Sequence, residues 1–347
     1  MVKMRRTTIR DVAEAAEVSP STVSMVLNNS ERSFSDEVRQ RVLKAAKSLK
    51  YVPNGVGRPS ISEGRKSRSM RPKLAFLTYP SSSSAGETLY GMVQKGAEFE
   101  CIAHKVDLVS QNTTSFMLSS DIVGVFTYAS SSSGFKHLIN NKPSITCMSK
   151  IRRNIAEDHV TYNNAEIAVL AAEYLLKKGH KHIGFIPLDN SEMFLERSKV
   201  FESVIVKSGK KHSHPLPMDH ADLFDNPANL EKLLYDYLSR PDRPTALFIP
   251  ADTVTSLAYP MLYSMGIIPG KDIEVVTCNN EFLRIAGLMP RPTVIDIRAF
   301  DVGRYAAIQL LNRLKHPDAP QLKLEIMPTL IEGKDWDRFI KKSYYYR

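Results

Sequence analysis

The polar side chains able to do chemistry crowd toward the amino terminus. Thr8, Ser19, Ser21, Thr22, Ser24 and Ser35 carry hydroxyls, Asn28 an amide and Arg10 a guanidinium, with Pro20 and Met25 among them. Such a set holds no acid–base pair and no activated nucleophile. Hydroxyls, amides and helix-start N–H groups suit hydrogen bonding to phosphate oxygens, and short side chains at a helix start suit contact with base edges. Charge agrees with this chemistry. Residues 1–72 hold fifteen Lys or Arg against seven Asp or Glu, so +8 of the formal +10 of the 347-residue chain lies there. A local excess of this kind ordinarily neutralises a polyanion. A membrane surface would also attract it, but no amphipathic, aromatic-rich basic helix accompanies the charges.

Other chemistries find little support. No Gly-x-Gly-x-x-Gly follows a strand pattern, no Gly-x-x-x-x-Gly-Lys-Ser/Thr occurs, and no Gly-x-Ser-x-Gly elbow accompanies Asp158-His159. The run Lys210-Lys211-His212-Ser213-His214, with His220 nearby, reads as a loop because of Pro215 and Pro217, and no Cys or carboxylate completes four ligands. No cofactor or metal is expected. Cys101, Cys147 and Cys278 form no Cys-x-x-Cys pair and read as buried thiols. No apolar run approaches the roughly 20 residues of a membrane span, and the polar start of the chain lacks a signal-peptide pattern. The expected location is the cytoplasm, with no membrane partner.

The elements that must position the polar cluster are short helices. Thr8 is a plausible N-cap, and Ile9, Val12, Ala13 and Ala16 form one apolar stripe. Val18 plugs a tight turn. Ser19 can cap a second helix, Pro20 fits its first turn, and Val23, Val26 and Leu27 face inward. That leaves Pro20, Ser21, Thr22, Ser24 and Met25 facing out. A third helix is expected from Ser35 to about Leu49, with Val38, Val42, Leu43, Ala46 and Leu49 inward and Arg39, Arg41, Lys44 and Lys47 outward. Three small helices on one core, two of them around a tight turn, describe a helix-turn-helix DNA-binding headpiece.

Ile9-x-Asp11-Val12-Ala13, Val18-Ser19-x-x-Thr22-Val23-Ser24, Arg41-Val42 and Tyr51-Val52-Pro53-Asn54 together resemble the lactose-repressor (LacI/GalR) family. The resemblance implies that Asn54 ends the headpiece and that a hinge helix follows, pushing an apolar wedge into the minor groove. Here the chain departs from the pattern: Gly57 and Ser60 fall on the hinge Ala and wedge Leu, with Pro59 between them. Glycine and an internal proline disfavour helix by about 1 and about 3 kcal/mol. Either Ile61 is the wedge in a shifted register, or Arg58, Arg65, Lys66 and Arg68 hold the backbone. Two further departures are Met25, where the family often has an arginine reading guanine, and Glu17, where a turn glycine is usual.

From Lys73 onward apolar strand patterns (Leu74–Thr78, Ile122–Phe126, Ser144–Met148, His182–Ile186, Ala246–Ile249, Ile273–Thr277) alternate with helical ones (Gly86–Ala103, Asn164–Lys178, Val254–Met265). The fold class is α/β, with parallel sheets covered by helices. The pattern is too long for one sheet, so two Rossmann-like lobes are expected. Lys178-Gly179-His180, Glu196-Arg197, Pro244-Thr245-Ala246, Met265-Gly266 and Pro290-Arg291-Pro292-Thr293 extend the family resemblance along the core. It implies a headpiece over 1–54, a linker over 55–72 and a two-lobed periplasmic-binding-protein-like core over 73–347. Lobe 1 is expected over 73–160 and 292–320, and lobe 2 over 161–291 and 321–347. The crossovers then fall near Thr161, Arg291 and Gln321.

The same resemblance implies a small, sugar-like effector between the lobes. Arg197 matches its effector-binding arginine, Asp252 and Asn279 fall where polar contacts are usual, and Tyr79 and Tyr128 are the nearest stacking surfaces. An asparagine where the family usually grips sugar hydroxyls with an aspartate argues against an ordinary hexose. The expectation is a homodimer, formed through the lobe carrying Phe300-Asp301-Val302-Gly303-Arg304, binding a pseudo-palindromic operator as a transcriptional regulator and most simply as a repressor. The alternatives are an architectural DNA binder, or a ligand-binding protein without effector-switched promoter control.

Overall fold

The computed structural model describes residues 7–27, 35–49, 51, 71–78, 88–112, 118–128, 139, 142–148, 157–188, 191–213 and 227–342. The hinge positions and the carboxyl-terminal tyrosines lie outside these residues.

The headpiece consists of α1 (Ile9–Ala15), α2 (Pro20–Leu27) and α3 (Asp36–Ser48). Thr8 caps α1 in a capping box: its Oγ1 accepts from the Asp11 N–H while the Thr8 N–H donates to the Asp11 carboxylate at 2.6 Å. Val12, Ala13, Ala16, Val23, Val26, Val42 and Ala46 are buried together, as their spacing requires, and Ala45 and Tyr51 join them. Val38 and Leu43, expected inward, are only half-buried. Helix α1 ends in a turn where Val18 N–H reaches back to Ala13 O at 3.0 Å and Glu17 sits at φ 54°. This is the geometry of a Schellman cap, with a glutamate at the left-handed position that favours glycine.

The core holds two six-stranded sheets. The first has the order β11 (Lys323–Ile326), β5 (Asp158–Tyr162), β4 (Ser144–Cys147), β3 (Ile122–Thr127), β1 (Lys73–Thr78), β2 (Asp107–Asn112), and all its pairings are parallel. The second runs β12 (Thr329–Ile331), β10 (Thr293–Asp296), β9 (Glu274–Cys278), β8 (Ala246–Ile249), β6 (His182–Phe185), β7 (Lys211–Ser213), parallel except where β12 meets β10. The His212 segment, read above as a loop, is thus edge strand β7, paired to β6.

The chain passes between sheets after Tyr162, between Asp296 and Ala299, and between Ile326 and Thr329. The second and third crossings lie beyond the expected Arg291 and Gln321. Pro290 and Pro292 are strong turn signals, but the apolar run behind them pairs with β9 and stays in the second sheet. Likewise Lys323–Ile326 pairs with β5 and belongs to the first. The real second crossover is marked by Arg298 at φ 58°, whose N–H donates to Asp296 Oδ1 at 2.7 Å.

Helices α4 (Leu89–Ala103) and α10 (Ala299–Lys315) cover the first sheet and pack against each other so closely that a Cβ on Gly96 would lie 1.9 Å from Phe300 O, and one on Gly303 1.8 Å from Val93 O. The segment Phe300–Gly303 is therefore buried inside lobe 1. The outward face of α10 shows Tyr305 and Ile308 instead. Helices α5 (Asn164–Lys177), α6 (Glu192–Lys207), α7 (Pro227–Leu238), α8 (Asp252–Ser264), α9 (Phe282–Ile285) and α11 (Trp336–Lys342) complete the described core. No helix among the described residues is long and apolar enough to cross a membrane.

Candidate nucleic-acid interface and inter-lobe site

The start of α2 gathers hydroxyls. Ser19 Oγ accepts from the Thr22 N–H at 3.1 Å and lies 2.7 Å from Ser21 Oγ and 2.8 Å from Thr22 Oγ1. Ser19, Pro20 and Ser21 are exposed, and Thr22, Ser24 and Met25 are half-buried beside them. Thr8 and Arg10 are exposed at the start of α1, and Ser35, also exposed, caps α3 by accepting from Val38 N–H at 3.4 Å. Exposed hydroxyls thus stand at three helix starts, whose dipoles favour anionic oxygens. Asn28, Asn54, Arg58 and Ile61 lie outside the described residues.

The second site lies where the carboxyl ends of both sets of strands face each other, the usual ligand position in open parallel sheets. Arg197, on α6, is 2% exposed. Its Nε donates to Asn164 Oδ1 at 2.9 Å and its Nη1 to Pro250 O at 3.0 Å, while the guanidinium lies 5.4 Å from the Tyr162 ring centroid and 5.3 Å from that of Phe194. Tyr162 belongs to the first sheet, so this stack spans the lobes. Asp252 opens α8 fully buried, its Oδ1 accepting from Thr277 Oγ1 at 2.6 Å and its Oδ2 from Glu281 N–H at 2.7 Å. Burial, and then the charge of Glu281, pushes its carboxyl well above the usual carboxylate range.

Asn279 holds φ 119° and Asn280 φ 66°, two consecutive left-handed residues that are not glycine. Asn279 Nδ2 donates to Glu281 Oε1 at 3.1 Å, and Asn280 Nδ2 donates to Asp296 Oδ2 at 3.2 Å. Asp296 is buried, which pushes its carboxyl up to about 6. Tyr128 donates its hydroxyl to Tyr90 O at 2.7 Å, and its ring packs 4.7 Å from Phe76 and 4.7 Å from Tyr90. It braces the first turn of α4 more than it offers an open stacking face. Tyr79 lies outside the described residues.

Of the five residues expected to meet an effector, the structure brings Arg197, Asp252 and Asn279 together on lobe 2 and sets Tyr128 on the facing lobe. Sequence reading missed Glu281, Tyr90, Tyr162 and Asn164. The available signal was Glu281, a carboxylate two residues past the expected acceptor position. Among the described residues no cluster of His, Cys, Asp and Glu could hold a metal ion. His180 Nδ1 pairs with Thr245 Oγ1 at 3.0 Å, and the three cysteines are buried and unpaired to one another.

A hydroxyl-rich helix-turn-helix ahead of a two-lobed α/β core defines a class of ligand-responsive transcriptional regulators. Comparison with known proteins gives the family. Residues 8–54 match the lacI family of bacterial regulatory proteins, and residues 172–334 match a periplasmic binding protein-like domain. The ribose operon repressor of Haemophilus influenzae is 24% identical over 93% of this chain and 97% of its own length. The repressor PurR of Mannheimia succiniciproducens is 26% identical over 94% and 98%. Among solved structures, a LacI-family regulator from Silicibacter pomeroyi superposes with a TM-score of 0.58 at 23% identity, covering 94% of this chain and 98% of that one. The regulator CelR in complex with cellobiose superposes with a TM-score of 0.61 at 19% identity, with the same coverage. The chain belongs to the lacI family of bacterial regulatory proteins, whose members regulate transcription and are not enzymes.

Proposed function

We propose that the chain is a cytoplasmic, dimeric repressor that binds a pseudo-palindromic operator, with a small neutral effector between its lobes setting its affinity for DNA. The observation that carries this reading is the cluster of Ser19, Ser21 and Thr22 hydroxyls at an exposed helix start, with Ser21 Oγ 2.7 Å and Thr22 Oγ1 2.8 Å from Ser19 Oγ, on a basic headpiece. In the proposed complex Thr8, Ser19, Thr22, Ser24, Asn28 and Ser35 meet phosphates, while Pro20, Ser21, Met25 and Arg10 meet base edges. Arg58 and Ile61 would act at the hinge, beyond Asn54. The dimer would use the lobe that carries α4 and α10, and the lobe boundaries follow the crossings at 163, 297–298 and 327–328.

A neutral, hydroxyl-bearing effector fits the inter-lobe site because Arg197, its one buried guanidinium among the described residues, gives Nε to Asn164 and Nη1 to Pro250 and has further N–H donors for hydroxyl oxygens, while the Asp252 and Glu281 carboxyls of the same site can accept from hydroxyls. One relative is named a ribose operon repressor, and a structural neighbour is described with bound ribose.

Selection of bound sequences from a random duplex library, at two salt concentrations, tests the reading. A two-fold symmetric consensus supports it, and steeply salt-dependent binding without a consensus overturns it in favour of an architectural role. Repeating the measurement with ribose and with cellobiose tests the effector. A switch shifts operator affinity by about 1–3 kcal/mol.

A further inference from the structure

Glu281 occupies the N-cap position of α9, yet its side chain makes no capping bond to that helix. It turns instead toward lobe 1. Its Oε2 accepts from the Leu89 N–H at 3.4 Å, across 192 positions of sequence, and its Oε1 accepts from Asn279 Nδ2 at 3.1 Å. Leu89 is the first residue of α4, where a helix leaves N–H groups without a partner of its own. A carboxylate at that place is favoured by both the free donor and the helix dipole.

Both sides of the contact are built in advance. On lobe 2 the Glu281 N–H is held by Asp252, and Asp252 by Thr277, which in turn accepts from Thr255 at 2.8 Å. The two left-handed asparagines before Glu281 re-aim the chain at this point, a strain that persists only where surrounding bonds enforce it. On lobe 1 Thr88 Oγ1 accepts from Gly91 N–H at 3.3 Å, and the Tyr128 hydroxyl fixes Tyr90 O. Glu281 is 6% exposed, so the contact is shielded from water and from salt.

We propose that Glu281 is a latch across the cleft, which holds the start of α4 against lobe 2 and which a ligand must displace to enter. The proposal rests on the reading of this junction as the ligand site, but its test needs no ligand. Hydrogen exchange of the full chain, without any added small molecule, is compared among wild type, Glu281→Gln, Leu89→Pro and the double variant. Proline is tolerated at the first position of a helix, and Thr88 at φ −77°, ψ 160° already has the conformation a following proline imposes, so Leu89→Pro deletes the donor and spares the helix.

Each single variant should speed exchange in the peptide spanning 279–285 by about tenfold, the shift one charge-assisted hydrogen bond supplies. The double variant should be no faster than the singles. Exchange in 246–249 should stay unchanged, because those residues lie in the lobe 2 core. Wild-type exchange at 279–285 in Leu89→Pro overturns the latch even if Glu281→Gln fails to fold, and so does a double variant whose effects add. Either outcome leaves the cleft as a ligand site, which is judged separately by the effect of a small molecule on operator affinity.

Discussion

The two candidate sites hold their polar groups in opposite ways. At the start of α2, Ser19, Pro20 and Ser21 stand in water, and their hydroxyls touch one another. Between the lobes, Arg197, Asp252, Asn279 and Glu281 are nearly or wholly buried and bonded to protein partners. The first arrangement leaves a binding surface ready and contributes little to folding. The second makes the same groups part of the structure, so that a ligand acts on an existing network and changes it. Substitutions should therefore separate cleanly: those at the headpiece cost DNA affinity with little stability, and those in the cleft cost stability first.

The strongest test of this contrast is Arg197→Met. It keeps much of the side-chain volume but strips donors from Asn164 Oδ1 and Pro250 O, two buried acceptors. Each unpaired acceptor costs about 1–3 kcal/mol. Urea unfolding should show a fall of that order for each, whereas Ser21→Ala should stay within about 0.5 kcal/mol of wild type while weakening operator binding. An Arg197→Met protein as stable as wild type would remove the distinction between the two sites.

A second buried network sharpens the point, because it is distant from both sites. Asp158 is fully enclosed, and Arg313 grips it with two bonds, Nε to Oδ2 at 2.9 Å and Nη2 to Oδ1 at 3.0 Å, joined by Gln309 and by Leu322 N–H. Beside it lies a cavity of about 690 Å³ whose walls include Lys142, Glu157 and Gln321. Burial pushes the Asp158 carboxyl up, but the Arg313, Leu322 and Gln309 bonds outweigh it, and the group ends below its ordinary value. A depressed carboxylate stabilises the fold above its unfolded value of about 3.9 and loses that contribution as pH falls through the lower folded value. Asp158→Asn should cost about 2 kcal/mol at pH 7 and should flatten the acid loss of stability below about pH 4. Thermal melts from pH 7 to pH 2 would check both.

These networks also mark what the sequence could reveal. The headpiece was legible because its chemistry is local: Thr8 to Asp11, Ser19 to Thr22 and Ser35 to Val38 are bonds over three residues, and the apolar stripe has a helical period. The alternation of core strands and helices was legible for the same reason. The crossovers were misplaced because prolines mark turns without saying which sheet the next strand joins, and β10 and β11 are assigned only by their partners β9 and β5. Glu281 was missed because its partner is 192 positions away, and no spacing rule reaches that far. Arg197 was found by resemblance, but its bonds to Asn164 and Pro250 and its stack on Tyr162 could be seen only in three dimensions.

On the headpiece side, Met25 offers a sharper test of the exposed surface. A thioether can pack on apolar edges such as the thymine methyl but cannot pair with the two acceptors of guanine. The operator should lack a guanine preference at the base facing Met25. Met25→Arg should create one, worth about 1–3 kcal/mol of discrimination, in a base-by-base binding scan. A strong guanine requirement in the wild type that disappears in Met25→Ala would overturn this reading of Met25, and one that survives the substitution would show that another group reads that base.

The smallest expected effect concerns the turn that aims α2. Glu17 pays a left-handed penalty at φ 54°, while its ion pair with Arg41 is 3.9 Å long between side chains 85% and 51% exposed, a geometry with negligible return. Removing the side chain should therefore relieve strain without losing a useful contact. Glu17→Gly should raise headpiece stability by about 1 kcal/mol and also remove a negative charge close to the phosphate-facing surface. If the turn is only a connector, operator affinity should rise slightly and its salt dependence should steepen, because one repulsive term is gone. If affinity falls while the melting temperature rises, the glutamate holds α2 at a particular angle, and the exposed site is as dependent on its supporting structure as the buried one.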